Sequence, residues 1–264
     1  MDGIRHSVIG ADGTRIGLLT AGTGSALLLI HGGMGRIERW EPLWKPLAER
    51  WRVTAMDRRG RGSSGDGPSY RIGLEFRDIT AVAVALAAEQ GSPIDVFGHS
   101  YGATCALGAA AGGAPFRRMV LYEPPGPATV SDDWIAKINE LIGGGMIGRA
   151  VVSFLTEISG LTREQVAGLR DTPGTAGTLP IAAATMRREV AALATADLAS
   201  LAAAVTVPVL LLLGAQSPAW AGAITRELAE VLPEAEFAVL PDSGHDAIDT
   251  APDQLEAELV RFLS

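Results

Sequence analysis

Ile94-Asp95-Val96-Phe97-Gly98-His99-Ser100-Tyr101-Gly102-Ala103-Thr104-Cys105-Ala106-Leu107 decides the fold of this chain. An apolar run, a Gly-x-Ser-x-Gly turn and a run of small helix-forming residues follow one another without a break. The reading is strand, sharp turn, helix, with Ser100 at the apex of the turn. Gly98 and Gly102 supply room where side chains would collide with strand and helix. The turn lifts the Ser100 hydroxyl above the sheet, and the following helix aims its free N–H groups at any oxyanion formed there. The same letters at a chance glycine-rich turn would carry no chemistry, but these flanks argue against that.

Outward from the turn the chain alternates. On the N-terminal side, His6–Ile9 and Arg15–Leu19 read as a hairpin about a turn at Asp12-Gly13. Ala26–Ile30 is a continuous apolar run, typical of a strand buried on both faces of a parallel sheet. A helical pattern over 37–49, the strand Val53–Met56 and a helix over 74–89 lead to the serine turn. On the C-terminal side comes Met119–Tyr122. From about 124 to 204 no core strand is expected, and Ala, Leu, Ile and Met recur at helical spacing between breaks such as Gly143-Gly144-Gly145. Strands return at Val207–Leu213 and Glu236–Leu240, with helices over 219–232 and 252–263. The alternation predicts an α/β fold with a mostly parallel sheet and ligands at the carboxyl ends of its strands. The division expected is a core of 1–124 and 205–264, with 125–204 a helical cap or lid.

Bulk numbers narrow the class. The 264 residues are 47% hydrophobic, enough for one large domain with a substantial core. A net charge of −8 without a long basic run argues against nucleic acid or anionic membrane as partners. Arg58, Arg59 and Arg61 form a local cluster that reads as a salt-bridged loop. One cysteine, Cys105, excludes an internal disulfide and any zinc-ligand spacing, so no metal is expected. The N-terminus has no basic segment followed by a long apolar stretch, and no run of about 20 apolar residues spans a bilayer. The expectation is a cytoplasmic protein, monomer or homodimer, acting on a small molecule.

Three features fall at strand carboxyl ends. Ser100 is the first. His31-Gly32-Gly33-Met34 follows the Ala26–Ile30 strand, and there Gly33 can turn its N–H toward the serine to join that of Tyr101 as an oxyanion hole. A plain tight turn is the other reading. His245, in Pro241-Asp242-Ser243-Gly244-His245, is the third. Of the four histidines, His6 lies in the hairpin, His31 braces the glycine loop and His99 turns down beside its strand. His245 is left as candidate general base for Ser100, with a structural role the alternative.

These pieces resemble an α/β-hydrolase with a single cap over essentially the whole chain. The matching segments are His31-Gly32-Gly33, Asp57-Arg58-Arg59-Gly60-Arg61-Gly62-Ser63-Ser64, the Ser100 turn, Tyr122-Glu123-Pro124-Pro125 and Gly244-His245. The resemblance implies an eight-stranded, mostly parallel sheet, a helical cap between the sixth and seventh strands, and no cofactor. It also implies an acid just after the Val207–Leu213 strand. Here that stretch reads Gly214-Ala215-Gln216-Ser217-Pro218, with Gln216 or Ser217 in the expected place and no carboxylate. Some α/β-hydrolases carry the acid after the sixth strand, where this chain has Glu123. Its alternative is a buried glutamate anchoring the cap entrance.

Three chemistries stay open at this point. With Glu123 as acid, Ser100 forms an acyl-enzyme from a carboxylic ester, thioester or lactone of a small-to-medium apolar substrate. Without an acid, hydrolysis is slow and suits activated substrates. A lyase or cyclase on the same fold would use His245 as acid and base beside the oxyanion hole, and a ligand-binding protein without catalysis is the remaining class. Candidate pocket residues are Met34 and, in the cap, Trp134, Ile138, Met146, Phe154, Leu155 and Met186. Arg187 and Arg188 are expected to face solvent.

Overall fold

The computed structural model describes the backbone of residues 1–170 and 175–264, and the side chains of 1–168 and 184–264. Eight strands form one sheet: β1 (Ile4–Ile9), β2 (Arg15–Ala21), β3 (Ala26–Ile30), β4 (Arg52–Met56), β5 (Ile94–His99), β6 (Phe116–Tyr122), β7 (Val209–Gly214) and β8 (Ala235–Leu240). Their spatial order is β1-β2-β4-β3-β5-β6-β7-β8. Only the β1–β2 and β2–β4 pairings are antiparallel; every later pairing is parallel. The helices are α1 (Glu41–Ala48), α2 (Ile72–Gln90), α3 (Tyr101–Ala111), α4 (Asp132–Gly143), α5 (Ile147–Ser153), α6 (Arg163–Arg170), α7 (Thr175–Leu193), α8 (Leu198–Ala203), α9 (Ala219–Val231), α10 (Ala247–Thr250) and α11 (Pro252–Leu263).

The continuous apolar strands fold as they do because alternate side chains feed opposite faces. Leu28 and Ile30 of β3 join Val96 of β5 and Leu211 of β7 in a core shared with α2, α3 and α9. Leu27, Leu29, Phe97, Leu210 and Leu212 enter a second core on the other face, with α1 and α11. Both strand faces are dry, and each fully buried leucine contributes about 1.5–3 kcal/mol.

Chain order sends β3 to β4 on one side, then β5 back to the other side of β3. The loops after β3 and β5 therefore diverge, opening a crevice where open α/β sheets bind ligands. The glycine loop at His31 and the turn at Ser100 stand on its two sides.

Between β6 and β7 the chain is helical, from α4 through α8. Trp134, Ile138, Ala150, Ile158, Met186 and Val190 form a small core there, against which Met34 and Phe154 pack. A π-helical turn, Phe154–Ile158, continues α5. The end of the segment joins the main core: Leu193 of α7 and Leu198 and Ala202 of α8 belong to the core shared by α3 and α9. Among the described residues no helix is long and apolar enough to cross a membrane.

Candidate active site

Ser100 sits between β5 and α3 with φ 52° and ψ −129°, a backbone conformation that side chains rarely adopt. Close packing enforces it. A Cβ on Gly102 would stand 2.3 Å from the Ile30 carbonyl oxygen, and one on Gly98 would stand 2.7 Å from Ala103 Cα. The Ser100 N–H donates to the Tyr122 carbonyl at 2.8 Å, tying the turn to β6. Among the described residues the Ser100 hydroxyl has no hydrogen-bond partner, and it faces the crevice. The Tyr101 N–H lies in the first turn of α3, where a helix supplies no acceptor.

Glu123 follows β6, again with positive φ (50°), and is fully buried. Its Oε2 lies 2.5 Å from His245 Nδ1. Its Oε1 accepts from the Gly214 N–H at 2.7 Å and from the Ser217 hydroxyl at 2.5 Å. The carboxylate is thus satisfied by three donors, as a buried charge requires. A proton on His245 Nδ1 leaves the Nε2 lone pair free. Gln216 is exposed, so the place where the resemblance expects an acid holds a surface amide, while its neighbour Ser217 serves Glu123.

His99 Nε2 donates to the His245 carbonyl at 3.0 Å, and the two rings are 4.8 Å apart. Burial, with His245 adding to it, pushes His99 well below the usual histidine range, so it is neutral. The Trp220 indole stands edge-on to His245 at 5.4 Å. The Tyr122 hydroxyl donates to the Gly244 carbonyl, fixing the loop that carries His245.

The glycine loop is held from below. The Arg58 N–H donates to His31 Nε2 at 3.1 Å, so that nitrogen carries the lone pair and Nδ1 carries the proton. Nδ1 donates to the Gly32 carbonyl at 2.9 Å. Burial, then the Arg58 charge, keeps His31 well below its ordinary range and neutral. The Arg58 guanidinium donates to the carbonyls of His31 (3.0 Å) and Gly32 (3.2 Å). Because the peptide is trans, a Gly32 carbonyl held toward Arg58 turns the Gly33 N–H the opposite way. Among the described residues no backbone carbonyl accepts from that N–H.

The arginine cluster is salt-bridged throughout. Arg58 pairs with Glu75 and Glu189, both at 2.8 Å; Arg59 with Asp78 and Asp12; Arg61 with Glu189 at 2.9 Å. Glu189 lies on α7, so this network ties the helical segment to the glycine loop. Burial opposes ionisation of Glu189, but Arg58 and Arg61 outweigh it and hold its carboxyl below the usual range.

Two cavities meet at Ser100, sharing Gly33, Met34, Phe154 and His245. The inner one, about 30 Å³, lies under α7 and is closed by Tyr101, Ile158, Met186, Val190, Leu193 and Trp220, with Glu189 in its wall. The outer one, about 260 Å³, reaches past Leu155 and Leu161 to Arg39, Asp246 and Asp249.

Of the pocket residues expected from sequence, Met34, Phe154, Leu155 and Met186 line these cavities. Trp134 and Ile138 do not: both are buried in the helical segment's own core, where the Trp134 indole donates to Ser153. Met146 lies on the surface, 38% exposed, and lines neither cavity. Helical spacing marks an apolar residue for burial but not the side it faces. Arg187 is exposed as expected. Arg188 instead folds inward onto Asp66 (2.7 Å) and over the Tyr70 ring. Sequence reading missed Glu189 and Trp220, which no local motif marks. Ser217 had one signal, its place in the stretch where an acid was sought.

The model of the alpha/beta hydrolase family matches residues 27–258. An alpha/beta hydrolase from Sphaerobacter thermophilus is 32% identical, aligned over 98% of this chain and all of its own, with a TM-score of 0.82. N-formylmaleamate deformylase of Pseudomonas putida is 37% identical over 107 residues, 39% of this chain and 39% of that protein. The chain thus matches about two fifths or less of the length of its curated relatives. An esterase from Exiguobacterium antarcticum shares the fold at 18% identity, with a TM-score of 0.78 over 98% of this chain and 99% of its own. Since the family match runs from β3 to α11 and takes in every residue around Ser100, the chain belongs to the alpha/beta hydrolase family.

Proposed function

We propose that this chain is a serine hydrolase that cleaves carboxylic esters, thioesters or lactones through an acyl-enzyme on Ser100, with the helical segment 125–204 as its cap. The observation that carries the reading is the 2.5 Å contact between His245 Nδ1 and the buried Glu123 carboxylate. It fixes the tautomer in which Nε2 is the base, and it offsets the imidazolium that forms in the reaction. The similarity to a deformylase extends the class to formyl amides.

In the first half-reaction His245 Nε2 takes the Ser100 proton as Oγ attacks the carbonyl carbon. The carbonyl oxygen becomes an oxyanion and accepts from the N–H groups of Gly33 and Tyr101, each worth about 100- to 1,000-fold in rate. Collapse breaks the bond to the leaving group, which receives the proton from His245. In the second half a water gives its proton to His245 and attacks the acyl carbon. The acid leaves and Ser100 recovers its proton. Glu123 stays ionised throughout.

Hydrolysis of p-nitrophenyl acetate by the wild type, Ser100→Ala and His245→Ala tests this, alongside labelling by a fluorophosphonate read by intact mass. The expected result is turnover and a single adduct in the wild type, both lost in Ser100→Ala. Turnover that survives Ser100→Ala but is lost in His245→Ala would overturn the acyl-enzyme and favour direct attack by a water that His245 activates.

A further inference from the structure

The unequal cavities on the two sides of Ser100 bear on which substrates can react, given the serine-hydrolase reading. The two halves of a substrate have different fates. The leaving group must depart before water can attack, whereas the acyl group stays bonded to Ser100 Oγ until the second step. The outer cavity runs past Leu161 toward the charged side chains of Arg39, Asp246 and Asp249, and so has the exit. The inner cavity lies beneath α7, with Met186, Val190 and Leu193 above it. We infer that the inner cavity is the acyl site and that it selects short, uncharged acyl groups, from formyl to about propionyl.

Size sets the upper limit. A volume of about 30 Å³ holds roughly two or three water-sized bodies, at about 10–15 Å³ each. Longer chains would have to displace Met186 (1% exposed) or Val190 (5% exposed), both packed in the small core of the helical segment. Close-packed interiors resist each added methylene. The outer cavity, at about 260 Å³, sets no such limit on the leaving group.

Charge sets the second limit. Among the described residues Glu189 is the only ionised side chain in the inner wall apart from the reacting residues, and its Oε2 stands 3.7 Å from where a Gly33 Cβ would be. Both arginines near it are already engaged: Arg58 with Glu75 and Glu189, Arg61 with Glu189. A carboxylate on the acyl chain would therefore lose its water in a wall whose charges are already paired with one another and which offers it no cation of its own.

The test is kcat/KM on p-nitrophenyl acetate, propionate, butyrate, hexanoate and octanoate, with mono-p-nitrophenyl succinate as the anionic acyl group. Values are expected to fall at least 100-fold from acetate to hexanoate, and succinate to react at least 100-fold more slowly than butyrate. Met186→Ala should bring the acetate-to-hexanoate ratio down tenfold or more. Val190→Ala should move it the same way should Met186→Ala fail to fold. Activity that rises with chain length, an unchanged ratio in both folded variants, or succinate as good as butyrate would overturn the acyl assignment alone. No turnover of any ester together with no fluorophosphonate adduct would overturn the hydrolase reading and this one with it.

Discussion

Glu123 Oε2 lies 2.5 Å from His245 Nδ1 across 122 residues of chain. The carboxylate that reaches the histidine comes from the end of β6, not from the loop after β7. Glu123→Gln keeps the shape and removes the charge. A loss of kcat of about 10³- to 10⁴-fold on an ester substrate is expected, the scale of the same change in a serine protease. Gln216→Asp, at an exposed position, should not restore it. Full activity in Glu123→Gln would remove Glu123 from the mechanism.

Ser217 supports this arrangement from the β7 side by donating to Glu123 Oε1. Ser217→Ala leaves that oxygen with the Gly214 N–H alone. Hydrogen bonds to charged groups contribute about 1.5–3 kcal/mol, so urea unfolding should show a loss of that order. The loss of kcat should stay well short of that in Glu123→Gln, since the charge remains.

The Glu189 pairs give a stability with a defined pH dependence. The folded carboxyl is held below its ordinary value of 4.5 by Arg58 and Arg61. A depressed acid stabilises the fold fully above its unfolded value, and that contribution is lost as pH falls through the folded one. Glu189→Gln leaves two buried arginines short of a partner, a change that costs about 3–5 kcal/mol for such a pair. The difference in unfolding free energy between wild type and Glu189→Gln should be largest near neutral pH. It should shrink below pH 4.5. A difference independent of pH would show that the carboxylate charge contributes nothing.

The turn at Ser100 tolerates no Cβ at Gly102, where it would stand 2.3 Å from Ile30 O and 2.5 Å from His31 O. Backbone atoms cannot move aside cheaply, so Gly102→Ala should cost about 3 kcal/mol or more, or leave the protein insoluble. Gly73, in α2 with nothing within 4 Å of a new Cβ, is the control. Gly73→Ala should stabilise by up to about 1 kcal/mol, read as a rise in Tm.

Local order along the chain was enough to determine the sheet and the turn. The apolar runs of β3, β5 and β7 are strands buried on both faces, and Gly98-His99-Ser100-Tyr101-Gly102 can pack as a sharp strand-to-helix turn because the flanking glycines stand where any Cβ would collide. The arginine cluster was legible as salt-bridged, since three guanidinium groups in four residues must find carboxylates. Its partners were not, because Glu75, Asp78 and Glu189 lie 17 to 131 residues away. The same limit applied to the pocket: Trp134, Ile138 and Met186 carry the same apolar periodicity and share one core, and only packing puts Met186 in the wall of the inner cavity as well. Tertiary structure also decided what Glu123 touches. A carboxylate's partner is set by which strand ends lie side by side, and the β6–β7 pairing places Glu123 against Gly214, Ser217 and the His245 loop at once.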